Sequence, residues 1–131
     1  MSIKPELYSE NEAWILFQLN DRPVETSADG DFNVLAIMDV STSLIHGMEF
    51  IPTSVEDLSE FEAKKLLHSA ETQGGAKPNY LFVDSTQKHD RVKRAAAALG
   101  IKTVPKEGKS LDVITEEARV GFSARFTMGS R

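Results

Sequence analysis

The chain has 131 residues, 40% hydrophobic and 27% charged, with 15 Lys and Arg against 20 Asp and Glu. Such proportions fit one globular domain with its own core, taken as residues 1–131 with the core over 14–126. The absence of Cys excludes disulfides and thiolate metal sites, and the net charge of -5 argues against general affinity for nucleic acid or anionic membrane.

Met1 to Asn11 is polar and lacks the apolar centre of a signal peptide. No apolar run reaches the ~18 residues of a membrane span, so a cytoplasmic protein is expected. Trp14-Ile-Leu-Phe-Gln-Leu-Asn20 is an almost unbroken apolar run, suited to a central strand covered on both faces. Glu25 to Asp31 contains Ser-Ala-Asp-Gly and reads as a turn. Phe32 to Val40 is the second expected strand, with Phe32, Val34, Ala36 and Met38 on one side and Leu35 and Ile37 on the other. Ser41-Thr-Ser43 turns the chain into a third strand, Leu44 to Ile51, which Pro52 closes. Short turns between three strands predict an antiparallel meander.

The period then changes. Thr53-Ser-Val-Glu56 and Ser59-Glu-Phe-Glu62 both carry the capping-box spacing of a helix start. Leu58, Phe61, Leu66, Leu67 and Ala70 mark the expected buried side of a helix reaching Glu71. Asn79 to Asp84 is a fourth strand with an acid at its carboxyl end. Lys88 to Leu99 is a helix, with Gly100 placed for a left-handed cap. Ile101 to Val104 is a fifth strand. Leu111 to Phe126 is the last helix, its stripe formed by Leu111, Ile114, Ala118, Phe122 and Phe126.

Strands reached through helices add in parallel by right-handed crossover. The expected fold is therefore α/β: a mixed five-stranded sheet of order 3-2-1-4-5, helices on both faces, the order of the ribonuclease H-like fold. Within it the chain resembles the catalytic core of retroviral-type integrases and DDE transposases. Phe17-Gln-Leu-Asn20 stands where that family has aromatic-Gln-x-Asp. Ile37-Met-Asp-Val-Ser41 and Ile45-His-Gly47 are similar to its Asp-x-x-Ser turn and apolar-x-Gly step. Leu81-Phe-Val-Asp84 matches its acid-ended fourth strand, and Glu116 and Glu117 lie near its helical Glu. A closer bacterial family with the same pattern would add no function to this reading.

The resemblance implies carboxylates holding two divalent ions roughly 4 Å apart. Asn20 puts a neutral amide at the first position, and Asp21 next to it should face the other way. Of the two helical acids, Glu117 lies beside the apolar stripe and is the better candidate. Asn20, Asp84 and Glu117 thus form a vestigial set, with Glu117 expected over the other two. The expectation is a non-catalytic module that binds a protein or ligand partner and needs no cofactor. The alternative is a Mg²⁺- or Mn²⁺-dependent nuclease or strand-transfer enzyme with rearranged acids.

Other motifs carry less. Gly108-Lys-Ser110 ends like a phosphate loop, but Thr103 stands where the pattern needs Gly. His46, His68 and His89 share no ligand spacing, and two of them are expected at or near the surface. Ser41, Ser43 and Ser54 lack nucleophile-elbow glycines. Lys88, Arg91, Lys93 and Arg94, with Lys102, Lys106 and Lys109, form a basic cluster. It is a possible anion patch near Asp84, but without interleaved aromatics a solvated helix face is the favoured reading.

Overall fold

A computed structural model describes residues 3–26 and 30–129. Among them run strands β1 (Ala13–Gln18), β2 (Val24–Thr26), β3 (Gly30–Asp39) and β4 (Ile45–Pro52), helix α1 (Glu60–Gly74), strand β5 (Tyr80–Asp84), helix α2 (Asp90–Ala98), strand β6 (Lys102–Lys106) and helix α3 (Gly108–Gly129). The sheet has six strands rather than five: β4-β3-β1-β5-β6 run in the ribonuclease H-like order expected from the sequence, and the short β2 also pairs with β3. β1 pairs antiparallel with β3, Trp14 opposite Asp39, and parallel with β5, Trp14 opposite Leu81. The apolar run from Trp14 is therefore central.

Burial follows the period-two rule of strands. Trp14, Leu16, Leu35, Ile37, Leu81 and Val83 face Leu66, Leu67 and Ala70 of α1 and Val92 and Ala96 of α2. Ala13, Ile15, Phe17, Val34, Ala36 and Met38 face the other way, where Leu111 of α3 joins them and Ile114, Ala118 and Phe122 pack half-buried. The outcome is three layers, with the sheet between α1 and α2 on one side and α3 on the other. Phe126, the last member of the expected stripe, has a side chain outside the described part.

Several local expectations change. Val24–Thr26 is a short strand against Phe32 to Gly30, running into the Glu25 to Asp31 stretch read as turn; Ser27 to Asp29 of that stretch lie outside the described residues. Of the two capping boxes only the second forms. The Ser59 side chain accepts from the Glu62 backbone N–H at 3.1 Å, and Glu62 Oε1 accepts from Ser59 N at 2.9 Å. Thr53 to Glu56 is turn and irregular chain instead. Phe61 is 75% exposed, because α1 starts only at Glu60 and its inward stripe is Ala63, Leu66, Leu67 and Ala70. Counting ~100° per residue, Phe61 falls on the opposite side of that stripe. Gly75 (φ +84°) ends α1, and Gly100 (φ +79°) follows α2 in the left-handed region as expected. β6 extends through Pro105, which an edge strand tolerates.

A buried network fixes the start of the sheet. Asp39, fully buried, accepts from Asn11 N at 2.8 Å and from Thr42 N and Oγ1, each at 2.9 Å. Asn11, held at φ +61°, donates from Nδ2 to Gly74 O at 2.8 Å and accepts from Trp14 Nε1 at 3.1 Å. Asp39 thus ties the β3–β4 turn to the entry of β1 and the end of α1.

Candidate functional site

Because β1 and β5 are parallel neighbours, their carboxyl ends open on the same side, where ligands bind in open α/β sheets. A cavity of about 370 Å³ lies there. Leu16, Phe17 and Leu35 form its floor; Gln18, Asn20 and Asp21 supply one wall; Asp84, Gln87 and His89 supply another. α3 closes it with Leu111, Asp112, Thr115 and Arg119.

Asn20 and Asp84 are brought together as the sequence anticipated, but each is engaged by the protein itself. Asn20 is 4% exposed. Its Oδ1 accepts from Val34 N at 2.7 Å, and its Nδ2 donates to Arg22 O at 2.8 Å and Asn33 Oδ1 at 3.1 Å. A backbone donor on one side and a backbone acceptor on the other fix which amide atom is oxygen. Leu19 N donates to Val34 O at 2.8 Å, so the Asn20 side chain extends the β1–β3 ladder past its last backbone pair.

Asp84, half-buried, closes an Asx turn: Oδ1 accepts from Thr86 N at 2.9 Å and Thr86 Oγ1 at 2.7 Å. Its Oδ2 lies at the amino end of α3, where a Cβ on Gly108 would come within 3.0 Å. A carboxylate there meets the positive end of the helix dipole. It also occupies the ground a bound phosphate would need, which gives Gly108-Lys-Ser110 a structural reason not to act as a phosphate loop.

The third expected acid is elsewhere. At ~100° per residue Glu117 sits about 160° round α3 from Thr115. It is exposed and is not among the residues around the cavity. The apolar stripe has two flanks, and the cavity lies off the one carrying Asp112, Thr115 and Arg119. Glu116 is nearer that flank but is likewise exposed and outside the cavity wall. Thr115, 1% exposed, donates to Leu111 O at 2.8 Å and accepts from Arg119 Nε at 3.2 Å. Arg119 also donates from Nη2 to Asp112 O at 2.7 Å, and its Nη1 lies 3.6 Å from Asp21 Oδ1.

His89, Asp112, Thr115 and Arg119 are site residues that the sequence did not single out for this place. His89 precedes α2, and its Nδ1 is buried without a hydrogen-bond partner. Burial pulls it below the ordinary histidine range; Asp57 opposes that, Lys93 reinforces it, and Asp84 and Asp90 oppose it more weakly. His68 is exposed on α1. His46 is only 7% exposed, deeper than expected, with its ring edge-on to Trp14 at 5.7 Å. The three histidines do not converge, and among the described residues no three His, Asp or Glu side chains are placed to hold one metal ion.

The basic cluster divides. Arg91 donates from Nη1 to Leu58 O at 3.0 Å and from its backbone N to Asp57 Oδ2 at 3.5 Å, pinning the segment before α1. Lys106 Nζ sits 5.0 Å from the Phe82 ring centre. Lys88, Arg94, Lys102 and Lys109 are exposed, and Lys93 is half-buried.

No family model and no curated protein matches the chain. Solved structures do. One chain of the simian T-cell lymphotropic virus intasome, in complex with PP2A regulatory subunit B56 gamma, superposes with a TM-score of 0.60 and 13% identity over 82% of this chain. The HTLV-2 integrase catalytic core domain in complex with magnesium gives 0.54 and 11% identity over 81% of this chain and 67% of that one. The catalytic core domain of BIV integrase gives 0.52 and 12% identity over 82% and 64%. This chain has the integrase-core fold. It spans 36% of the intasome chain, so the likeness concerns the core and extends to fold alone.

The resemblance implied ions held at this cavity, and at two places in its lining, Asn20 and Arg119, the side chain present is not an anion. Hard divalent ions require anionic oxygens. Here the first position is an amide whose oxygen already accepts a backbone N–H, and a guanidinium stands on the helical wall.

Proposed function

We propose that this chain is an integrase-core-fold module that does not cut or join nucleic acid and acts by binding a partner, a protein or a ligand. The observation that carries this reading is the α3 wall. Thr115 and Arg119 face the cavity while Glu117 turns away from it, and Arg119 adds positive charge where a pair of cations would need more negative charge. Three carboxylates around the cavity, Asp21, Asp84 and Asp112, favour a second reading: a Mg²⁺- or Mn²⁺-dependent nuclease with rearranged acids.

One experiment separates them. The wild-type protein is incubated with single- and double-stranded DNA and RNA in Mg²⁺ and in Mn²⁺. The expected outcome is no metal-dependent cleavage. Cleavage by the wild type that Asp84→Asn abolishes would establish the second reading.

A further inference from the structure

We propose that Asn20 is a hydrogen-bonding clamp for the segment after β1, and that a carboxylate cannot take its place. The inference rests on the reading above but concerns different physics. The amide bridges three groups of opposite demand: the Val34 N–H needs an acceptor, while Arg22 O and Asn33 Oδ1 need donors. Only a side chain with one acceptor and one donor atom at this spacing serves both, and Asn is the shortest that does.

An ionised acid at position 20 would keep the bond from Val34 N but set its second oxygen against two acceptors. Asn33 can rotate its amide and offer N–H instead. Arg22 O, a backbone carbonyl, cannot. A charge would also enter a side chain that is 4% exposed, where desolvation favours the neutral form. A protonated acid, by contrast, can donate its O–H to Arg22 O. Reverting Asn20 to the family's acid is therefore a loss of fit in the charged state and a recovery in the neutral one. Charge balance makes the same point: the nearby guanidinium of Arg119 is already paired with Asp21.

The test is Asn20→Asp beside wild type, with thermal unfolding at pH 7.5 and pH 5 and with and without MnCl₂. Asn20→Asp should melt about 5–10 °C below wild type at pH 7.5. The gap should narrow at pH 5, and Mn²⁺ should raise neither melting temperature. Equal stability at pH 7.5, a gap that widens on acidification, or Mn²⁺ stabilising Asn20→Asp beyond wild type would each overturn the proposal. Should the variant fail to fold at either pH, the wild type decides by nuclear magnetic resonance. The Asn20 side-chain NH₂ should be protected from hydrogen exchange and show a contact to the Val34 amide proton, and exchange at the rate of an exposed Asn would overturn the clamp. Cleavage by the wild type sinks the functional reading and leaves these results to be judged alone. A Mn²⁺-stabilised variant beside a silent wild type sinks only the clamp.

Discussion

Asp39→Ala tests the network that anchors the sheet. The substitution removes the acceptor of three hydrogen bonds, from Asn11 N, Thr42 N and Thr42 Oγ1. Bonds to a charged acceptor are worth roughly 1.5–3 kcal/mol each, but groups that water can reach recover much of that. Thr42 is exposed and should recover; Asn11 N has farther to go. Asn11 also holds Gly74 O and Trp14 Nε1 from a left-handed backbone, so loosening it affects the end of α1 and the entry of β1 together. A net loss of about 3 kcal/mol follows, or a fall in melting temperature of roughly 10 °C for a domain of this size. Asp39→Asn keeps an acceptor for Asn11 N but turns an NH₂ toward Thr42, and should cost about half as much. Urea unfolding of the three proteins measures both differences. If Asp39→Ala stays within ~0.5 kcal/mol of wild type, or if the Asn variant is the worse of the two, the network does not carry the weight assigned to it.

Burial holds His89 below its ordinary range near pH 6.5, so the unfolded chain takes up its proton first on acidification. Its contribution should be fully present above pH 6.5 and be lost as pH falls below it; His89→Gln should flatten that part of the stability curve, measured by urea midpoints between pH 5 and 7.5. Gly74→Ala would bring a Cβ within 2.9 Å of His46 Cδ2 and 3.0 Å of Asn11 Oδ1. A loss of about 1–3 kcal/mol is expected although helix propensity favours Ala, and the loss should shrink when His46 is also changed to Ala. The basic cluster should bind single-stranded or duplex DNA only weakly and without sequence preference at physiological salt; micromolar binding lost on changing Lys88, Arg91 and Arg94 to Ala would refute that.

The layers were legible because they follow from periodicity. Alternation along Phe32 to Met38 assigned both faces of β3 correctly, and the apolar run from Trp14 marked the central strand. Phe61 misled because a capping box locates a helix start, while the inward stripe is set by the side that Ala63, Leu66, Leu67 and Ala70 turn to the sheet. The site was half legible. Asn20 and Asp84 end neighbouring strands, and strand order predicts that they meet. Glu117 was assigned by its distance from the apolar stripe, yet a stripe has two flanks and sequence does not say which one borders the cavity. Arg119 and His89 carried no motif at all; only the packing of α3 and the approach of α2 bring them beside Asp84.

Why such a fold should keep a cleft with little open charge follows from where the bonds go. A cleft at the carboxyl ends of β1 and β5 arises from topology alone, whatever residues fill it. In a two-ion centre the carboxylates there turn oxygens toward the ions, and their summed negative charge is what attracts the metal. Here the same positions serve the protein. Asn20 completes a strand ladder, Asp84 closes a turn against the start of α3, and Arg119 links α3 to Asp21 while also donating to the carbonyl of Asp112 in its own helix. Each of these bonds lowers the local field that an ion would feel while raising the stability of the frame. On the proposed reading Asp84 remains an acid for these structural reasons. A carboxylate matching a catalytic motif in sequence carries weight as chemistry only when its neighbours supply the rest of the negative charge that a pair of ions needs.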